Sequence, residues 1–149
     1  MPPFHETKLR VRYAETDQWG TVYHSNFFIW FEVGRVELFR QLGFSYKQME
    51  IEDESHLVVA EASCGYKRPA RYDDVLRIRT RIVEAGRRIV RSAFEVVNDA
   101  SGELLATGET THVVCDRNGR AKGLTEKYRR MIAPLDAGEA AEVKTRGKR

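Results

Sequence analysis

Ser25-Asn26-Phe27-Phe28-Ile29-Trp30-Phe31-Glu32-Val33-Gly34-Arg35-Val36-Glu37-Leu38-Phe39-Arg40-Gln41-Leu42-Gly43 is the stretch on which the fold turns. Phe27, Phe28, Phe31, Leu38 and Leu42 recur at the three- and four-residue intervals of an α-helix. Ser25 or Asn26 can cap its start, and Gly43 ends it. Gly34, inside the helix, costs about 1 kcal/mol relative to alanine, which points to a close approach between this helix and whatever it packs on. A helix so long and so aromatic needs cover on most of its sides.

The flanking sequence supplies that cover as strands. Glu6 to Tyr13 sets Leu9, Val11 and Tyr13 on one face against Lys8, Arg10 and Arg12 on the other, and Asp17-Gln18-Trp19-Gly20 breaks the pattern as a turn. After the helix, Tyr46 to Glu52 predicts a second, short helix, and Leu57 to Arg68 a strand that stops near Pro69. Val75 to Val83 alternates Leu76, Ile78 and Ile82 with Arg77, Arg79 and Arg81. Arg88 to Asn98 and Leu104 to Asp116 follow, joined at Asp99-Ala100-Ser101-Gly102 and closed by Asp116-Arg117-Asn118-Gly119. Thr125 opens a last short helix that runs to Ile132. One strand, one long helix and four closely spaced strands predict an α+β domain, because the connections are too short for helical crossovers. Its sheet is expected to be mostly antiparallel and wrapped around the helix. The domain is expected over residues 1–135, and Asp136 to Arg149, nearly free of large apolar residues, reads as a frayed tail.

Composition excludes several classes. The 149 residues suit one domain. No stretch approaches the roughly 20 apolar residues of a membrane helix, and the first residues lack the basic and apolar segments of a signal peptide. Cys64 and Cys115 give no disulfide framework and read as strand thiols, consistent with the cytoplasm. His5, His56 and His112 have no companions at ligand spacing, so no metal is expected. The formal charge of +3 conceals a concentration from Lys67 to Arg91, where nine basic residues face three acidic ones. That density suits an anionic partner such as a polyphosphate ligand. The run lacks interleaved aromatic residues, which argues against nucleic acid.

Tyr13-Ala14-Glu15-Thr16-Asp17-Gln18-Trp19-Gly20-Thr21-Val22-Tyr23-His24-Ser25-Asn26-Phe27 resembles the active-site motif of the 4-hydroxybenzoyl-CoA thioesterase family, D-x-x-G-x-V-[YW]-x-x-N-[YF] before a long helix. The most similar branch in pattern is that of the Tol-Pal-associated thioesterases, with Y-x-x-T-D-x-x-G-V-V-Y-H. Tyr66 to Asp74 also looks like the family's strand-to-strand turn. Two departures stand out. Thr21 replaces that branch's valine, and Gln18-Trp19 stands where the family has small residues. The resemblance implies a hotdog fold, a curved five-stranded antiparallel sheet around the long helix. It further implies a homodimer or homotetramer with active sites at the dimer interface, an acyl-CoA substrate and no redox cofactor.

In that setting a thioester carbonyl needs an activated water or a nucleophile, and a stabiliser for the charge on its oxygen. Asp17, in a turn before a helix, can act as general base or attack directly. Backbone N–H groups at the helix start, near Tyr23 and His24, are expected oxyanion donors. His24 can orient the water or bond the thioester oxygen, and Tyr13 can support Asp17. Tyr23, Arg68, Arg71, Arg88 and Arg91, with Arg87 beside them, are the expected contacts of coenzyme A, since guanidinium pairs well with phosphate. Glu32 is an acid without an evident partner on an otherwise apolar helix. Two other readings use the same pocket: hydrolysis on an acyl carrier protein, or acyl-CoA binding without catalysis.

Overall fold

The computed structural model describes residues 4–133; the expected tail, Asp136 to Arg149, lies outside them. Five strands alternate with three helices: β1 His5–Arg10, α1 Asn26–Gln41, α2 Tyr46–Glu52, β2 His56–Tyr66, β3 Val75–Ala85, β4 Ile89–Asn98, β5 Leu104–Cys115 and α3 Glu126–Ile132. They form the expected curved antiparallel sheet, in the order β1-β3-β4-β5-β2, with α1 against its inner face. In β3 the alternation is clean. Leu76, Ile78, Thr80 and Ile82 are buried, while Arg77, Arg79 and Arg81 point the other way.

Several boundaries moved for identifiable reasons. The first strand was expected to reach Tyr13, but it ends at Arg10 and a short 3-10 turn takes Tyr13–Glu15. The Val11 N–H still meets Asp74 O at 2.9 Å, and beyond that the chain leaves the sheet. β2 stops at Tyr66 rather than Arg68 because the N–H groups of Lys67 and Arg68 share one acceptor, Leu105 O. Asn26 is the first helical residue of α1, and Ser25, at the N-cap, makes no side-chain capping bond.

Gly34 shows why a costly residue sits inside α1. A Cβ there would come within 2.8 Å of Ile78 Cγ2 and collide with the Thr80 hydroxyl. The helix therefore lies on β3 at a distance no side chain allows. Apolar packing divides on either side of this contact. Phe27, Trp30 and Phe31 meet Leu76, Ile78, Phe94 and Val96, whereas Leu38 and Phe39 meet Ile82, Val90, Val114 and Tyr128. Between the two clusters runs a band of buried polar residues on the sheet's inner face: Thr80, Ser92, Thr110 and His112, with Arg35 above them. The second edge of the sheet, β2, has a partner on one side only, β5, and from Val58 to Gly65 it is largely exposed.

Candidate active site

Glu15 ties the loop between β1 and α1 together. Its buried carboxylate accepts the Arg12 N–H at 2.7 Å, the Trp30 indole N–H at 3.2 Å and the Arg12 guanidinium at 3.4 Å. Burial alone would raise its pKa, but these donors outweigh that penalty and hold it below the usual carboxylate value. Its backbone oxygen accepts the Tyr23 N–H at 2.9 Å and the Asn26 side-chain amide at 3.0 Å. One residue thus pins the entry of the loop, its exit and the first turn of α1.

Asp17 begins the tight turn inside this loop. Its N–H meets Thr21 O at 2.8 Å, and Gly20, at φ +80°, returns an N–H to Asp17 O at 3.0 Å. Asp17 Oδ1 accepts the N–H groups of Trp19 at 2.9 Å and Thr21 at 3.3 Å. Among the described residues Oδ2 receives only the Thr21 hydroxyl, at 3.2 Å, which also lies 3.3 Å from Oδ1. One carboxylate oxygen therefore forms the turn, and the other keeps acceptor capacity toward a ligand. The Thr21 hydroxyl that orients it is a group valine could not supply.

Two further contacts carry the site across the sheet. Thr21 bridges Arg71, and the Val22 N–H meets Ala70 O at 2.8 Å. The resulting depression, about 350 Å³, is lined by Thr21, His24, Phe27, Tyr66, Arg68 and their neighbours. The His24 ring lies beside Tyr66, centroids 6.2 Å apart, and the Tyr66 hydroxyl donates to His24 O at 3.1 Å. Partial burial, with the Cys64 thiol beside it, pushes the Tyr66 phenol up to about 12, so it stays protonated and keeps that bond. In the sequence Tyr66 reads only as the end of the strand Leu57 to Arg68 and the start of a turn, with no role in the site. Its separation from His24, 42 residues along the chain, left no local signal of the contact.

The other expected site residues are distributed unevenly. Tyr13 sits on the 3-10 turn, 78% exposed, with its ring edge-on to Tyr72 at 5.5 Å rather than on Asp17. The Tyr23 N–H is occupied by Glu15 O, so it is not an open donor. Among the described residues the N–H groups of His24 and Ser25 have no partner, and these two open the 16-residue helix α1. Arg68 and Arg71 stay beside the depression, exposed and without an ion-pair partner among the described residues. Arg88 lies in the β3–β4 turn and Arg91 at the start of β4, the opposite end of β3 from Asp74, and Arg91 pairs with Glu84 at 3.3 Å. The basic run is partly neutralised elsewhere too. Arg77 meets Glu6 and Asp99, and Arg79 meets Glu6 and Glu95. Acids brought in by β1 and the β4–β5 hairpin do this, which a count along the chain could not register.

A turn carboxylate with acceptor capacity left on one oxygen, two open N–H groups at a helix start and a depression flanked by arginines together fit acyl transfer to water. Comparison with known proteins agrees. The family model of the thioesterase-like superfamily matches residues 11–146. A putative acyl-CoA thioesterase, YneP, of Bacillus subtilis is 36% identical over 110 residues, 74% of this chain and 78% of that protein. The acyl-CoA thioester hydrolase YbgC of Escherichia coli O157:H7 is 35% identical over 107 residues, 72% of this chain and 78% of that protein. The DHNA-CoA thioesterase of Staphylococcus aureus superimposes with a TM-score of 0.83 at 26% identity, covering 97% of this chain and 95% of that one. The chain belongs to the thioesterase-like superfamily.

Proposed function

We propose that this protein hydrolyses acyl-CoA thioesters, with Asp17 as the central group of the 4-hydroxybenzoyl-CoA thioesterase type and of its Tol-Pal-associated branch. The observation that carries the reading is that one loop holds both Asp17, whose Oδ2 accepts a single hydroxyl, and the unpaired N–H groups of His24 and Ser25 at the start of α1. Water adds to the thioester carbonyl, its proton passing to Asp17, or the Asp17 carboxylate adds first and water releases it. Both routes put negative charge on the carbonyl oxygen, where the helix-start N–H groups and the α1 dipole stabilise it. The C–S bond then breaks and coenzyme A leaves as its thiol. His24 orients the water or the thioester oxygen, Tyr66 fixes the backbone at His24, and Tyr13 closes the rim. Arg68 and Arg71 take phosphate, with Arg88 and Arg91 further off. A cytoplasmic setting fits the two free thiols.

The unit we infer is at least a dimer. β2 offers an unpaired edge, with Val58 48% and Val59 56% exposed, and α1 adds Phe28, Ile29 and Val33 beside it. Antiparallel pairing of two such edges covers them, and two dimers can associate further. The test is release of coenzyme A from short, long and aromatic acyl-CoAs, with acyl carrier protein thioesters as a second series. Turnover reduced by about 100-fold or more in Asp17→Asn supports the reading. Turnover unchanged in that variant moves the chemistry away from Asp17. Tight acyl-CoA binding without turnover makes the protein a binding module.

A further inference from the structure

The polar band in the core opens into a second cavity that Asp17 does not use. It measures about 310 Å³ and lies between α1 and the sheet, lined by Phe28, Phe31, Arg35, Thr110, His112 and Val59 among others. Its volume is near the lower end for small-molecule sites. Three of its polar residues are more than nine-tenths buried: Arg35 at 5% exposure, Thr110 at 7% and His112 at 2%. Arg35 Nη1, Thr110 Oγ1 and His112 Nδ1 have no hydrogen-bond partner. Buried polar groups without partners are uncommon, each costing on the order of 1–3 kcal/mol. A cluster of them around a single cavity indicates that something else completes them.

Arg35 is held in place from its other side. Its guanidinium lies over the Tyr46 ring, 5.2 Å from the centroid. Tyr46 in turn accepts the Leu57 N–H at 2.7 Å. Glu32, one helical turn earlier, lines the same cavity and acts on Arg35 through its charge, but it is exposed and leaves Nη1 unpaired. The cation is therefore fixed, with one amino group still to be satisfied. His112, pushed down to about 4 by burial and by Arg35, is neutral there and can donate or accept.

We infer that this cavity is the site for the far end of the acyl group, and that Arg35, with Thr110 and His112, selects acyl groups carrying an oxygen acceptor there. This rests on the thioesterase reading above. Geometry links the two places. Tyr66, at one end of β2, borders the depression lined by Thr21, the residue that bonds Asp17, and Leu57 and Val59, near the other end, border the cavity. Antiparallel pairing of two β2 edges about a two-fold axis near Glu61 sets Tyr66 of one copy beside His56 of the other. The depression beside Thr21 and Tyr66 of one copy then faces the cavity of its partner. An acyl chain held at Asp17 enters between the apolar side chains of Phe28 and Phe31 and meets Arg35 last.

The test compares acyl-CoAs of equal chain length ending in methyl, hydroxyl or carboxylate, run as a length series on the native protein and on Arg35→Met. At the length that fits, an oxygen-ended substrate is expected to exceed its methyl-ended counterpart by about 10-fold or more in kcat/KM. Arg35→Met should abolish or reverse that ratio. Preference for carboxylate identifies an anionic end, and preference for hydroxyl a neutral one. Thr110→Val, which keeps side-chain volume, should shift the ratio the same way and serves if Arg35→Met does not fold. A methyl-ended preference that neither variant alters would overturn the assignment and leave the polar groups to trapped water. Thermal stabilisation by the free acids provides a readout without turnover. Oxygen-ended acids that raise Tm in the native protein but not in Arg35→Met uphold the pocket even if no thioester is hydrolysed. No difference among the acids rejects it.

Discussion

At the scale of single residues the site separates side chains that form the loop from those left open to a ligand. Glu15 belongs to the first kind and Asp17 to both. Glu15→Gln keeps the shape but loses the charge-assisted bond to Arg12 and should lower stability by about 1–2 kcal/mol, measured by urea unfolding near neutral pH. Because its folded pKa is depressed, the Glu15 contribution is present above the ordinary carboxylate range and is lost as pH falls through the folded value. His112 acts in the same direction at higher pH. Its folded value of about 4 lies below the free histidine value of 6.5, so the unfolded chain takes up the proton first. Stability is therefore full above about 6.5 and declines as pH falls toward about 4. Unfolding midpoints across that window should flatten in His112→Gln; an unchanged slope would mean that His112 takes up its proton over the same pH range folded and unfolded. Thr21→Val removes a bond to Asp17 and should change kcat/KM far less than Asp17→Asn does.

At the scale of elements, α1 and β3 fit because one residue has no side chain. Gly34→Ala would force Ile78 and Thr80 aside, and overpacking of this kind costs about 1–3 kcal/mol. Calorimetry should show a lowered Tm despite alanine's better helix propensity, whereas a raised Tm would mean the helix can lift off the sheet freely. The alternation of Leu76, Ile78 and Ile82 with arginines was enough to place β3, and the aromatic spacing enough to place α1. The same periodicities contained Arg35 and His112. Arg35 stands four residues from both Phe31 and Phe39 on the buried face of α1, and His112 alternates with Thr110 and Val114 on the inner face of β5. Their positions were legible as polar residues on apolar faces. Their convergence was not, because it depends on how α1 crosses the sheet.

At the scale of the whole molecule, the exposed edge of β2 is the feature a monomer would least be expected to keep. Val58→Lys places a charge on that edge, outside the lining of the acyl cavity, and is expected to shift the protein toward monomer in sedimentation velocity. Activity should fall with dimer content, since the proposed acyl path crosses from one copy to the other. A fully active monomer would refute the crossed path.

The sequence by itself determined the order and type of the elements, the antiparallel sheet around α1 and the turn carrying Asp17. These rest on local periodicity and turn chemistry, which a chain expresses over a few neighbouring residues. Tertiary structure alone decided which donors stay open. It assigned the Tyr23 N–H to Glu15, brought Tyr66 to His24, matched the arginines of β3 to acids from β1 and β4, and gathered Arg35, Thr110 and His112 around one cavity. The first is set by how one loop folds back on itself, and the others depend on pairing between segments far apart in the chain, where distance along the sequence carries no information about distance in space.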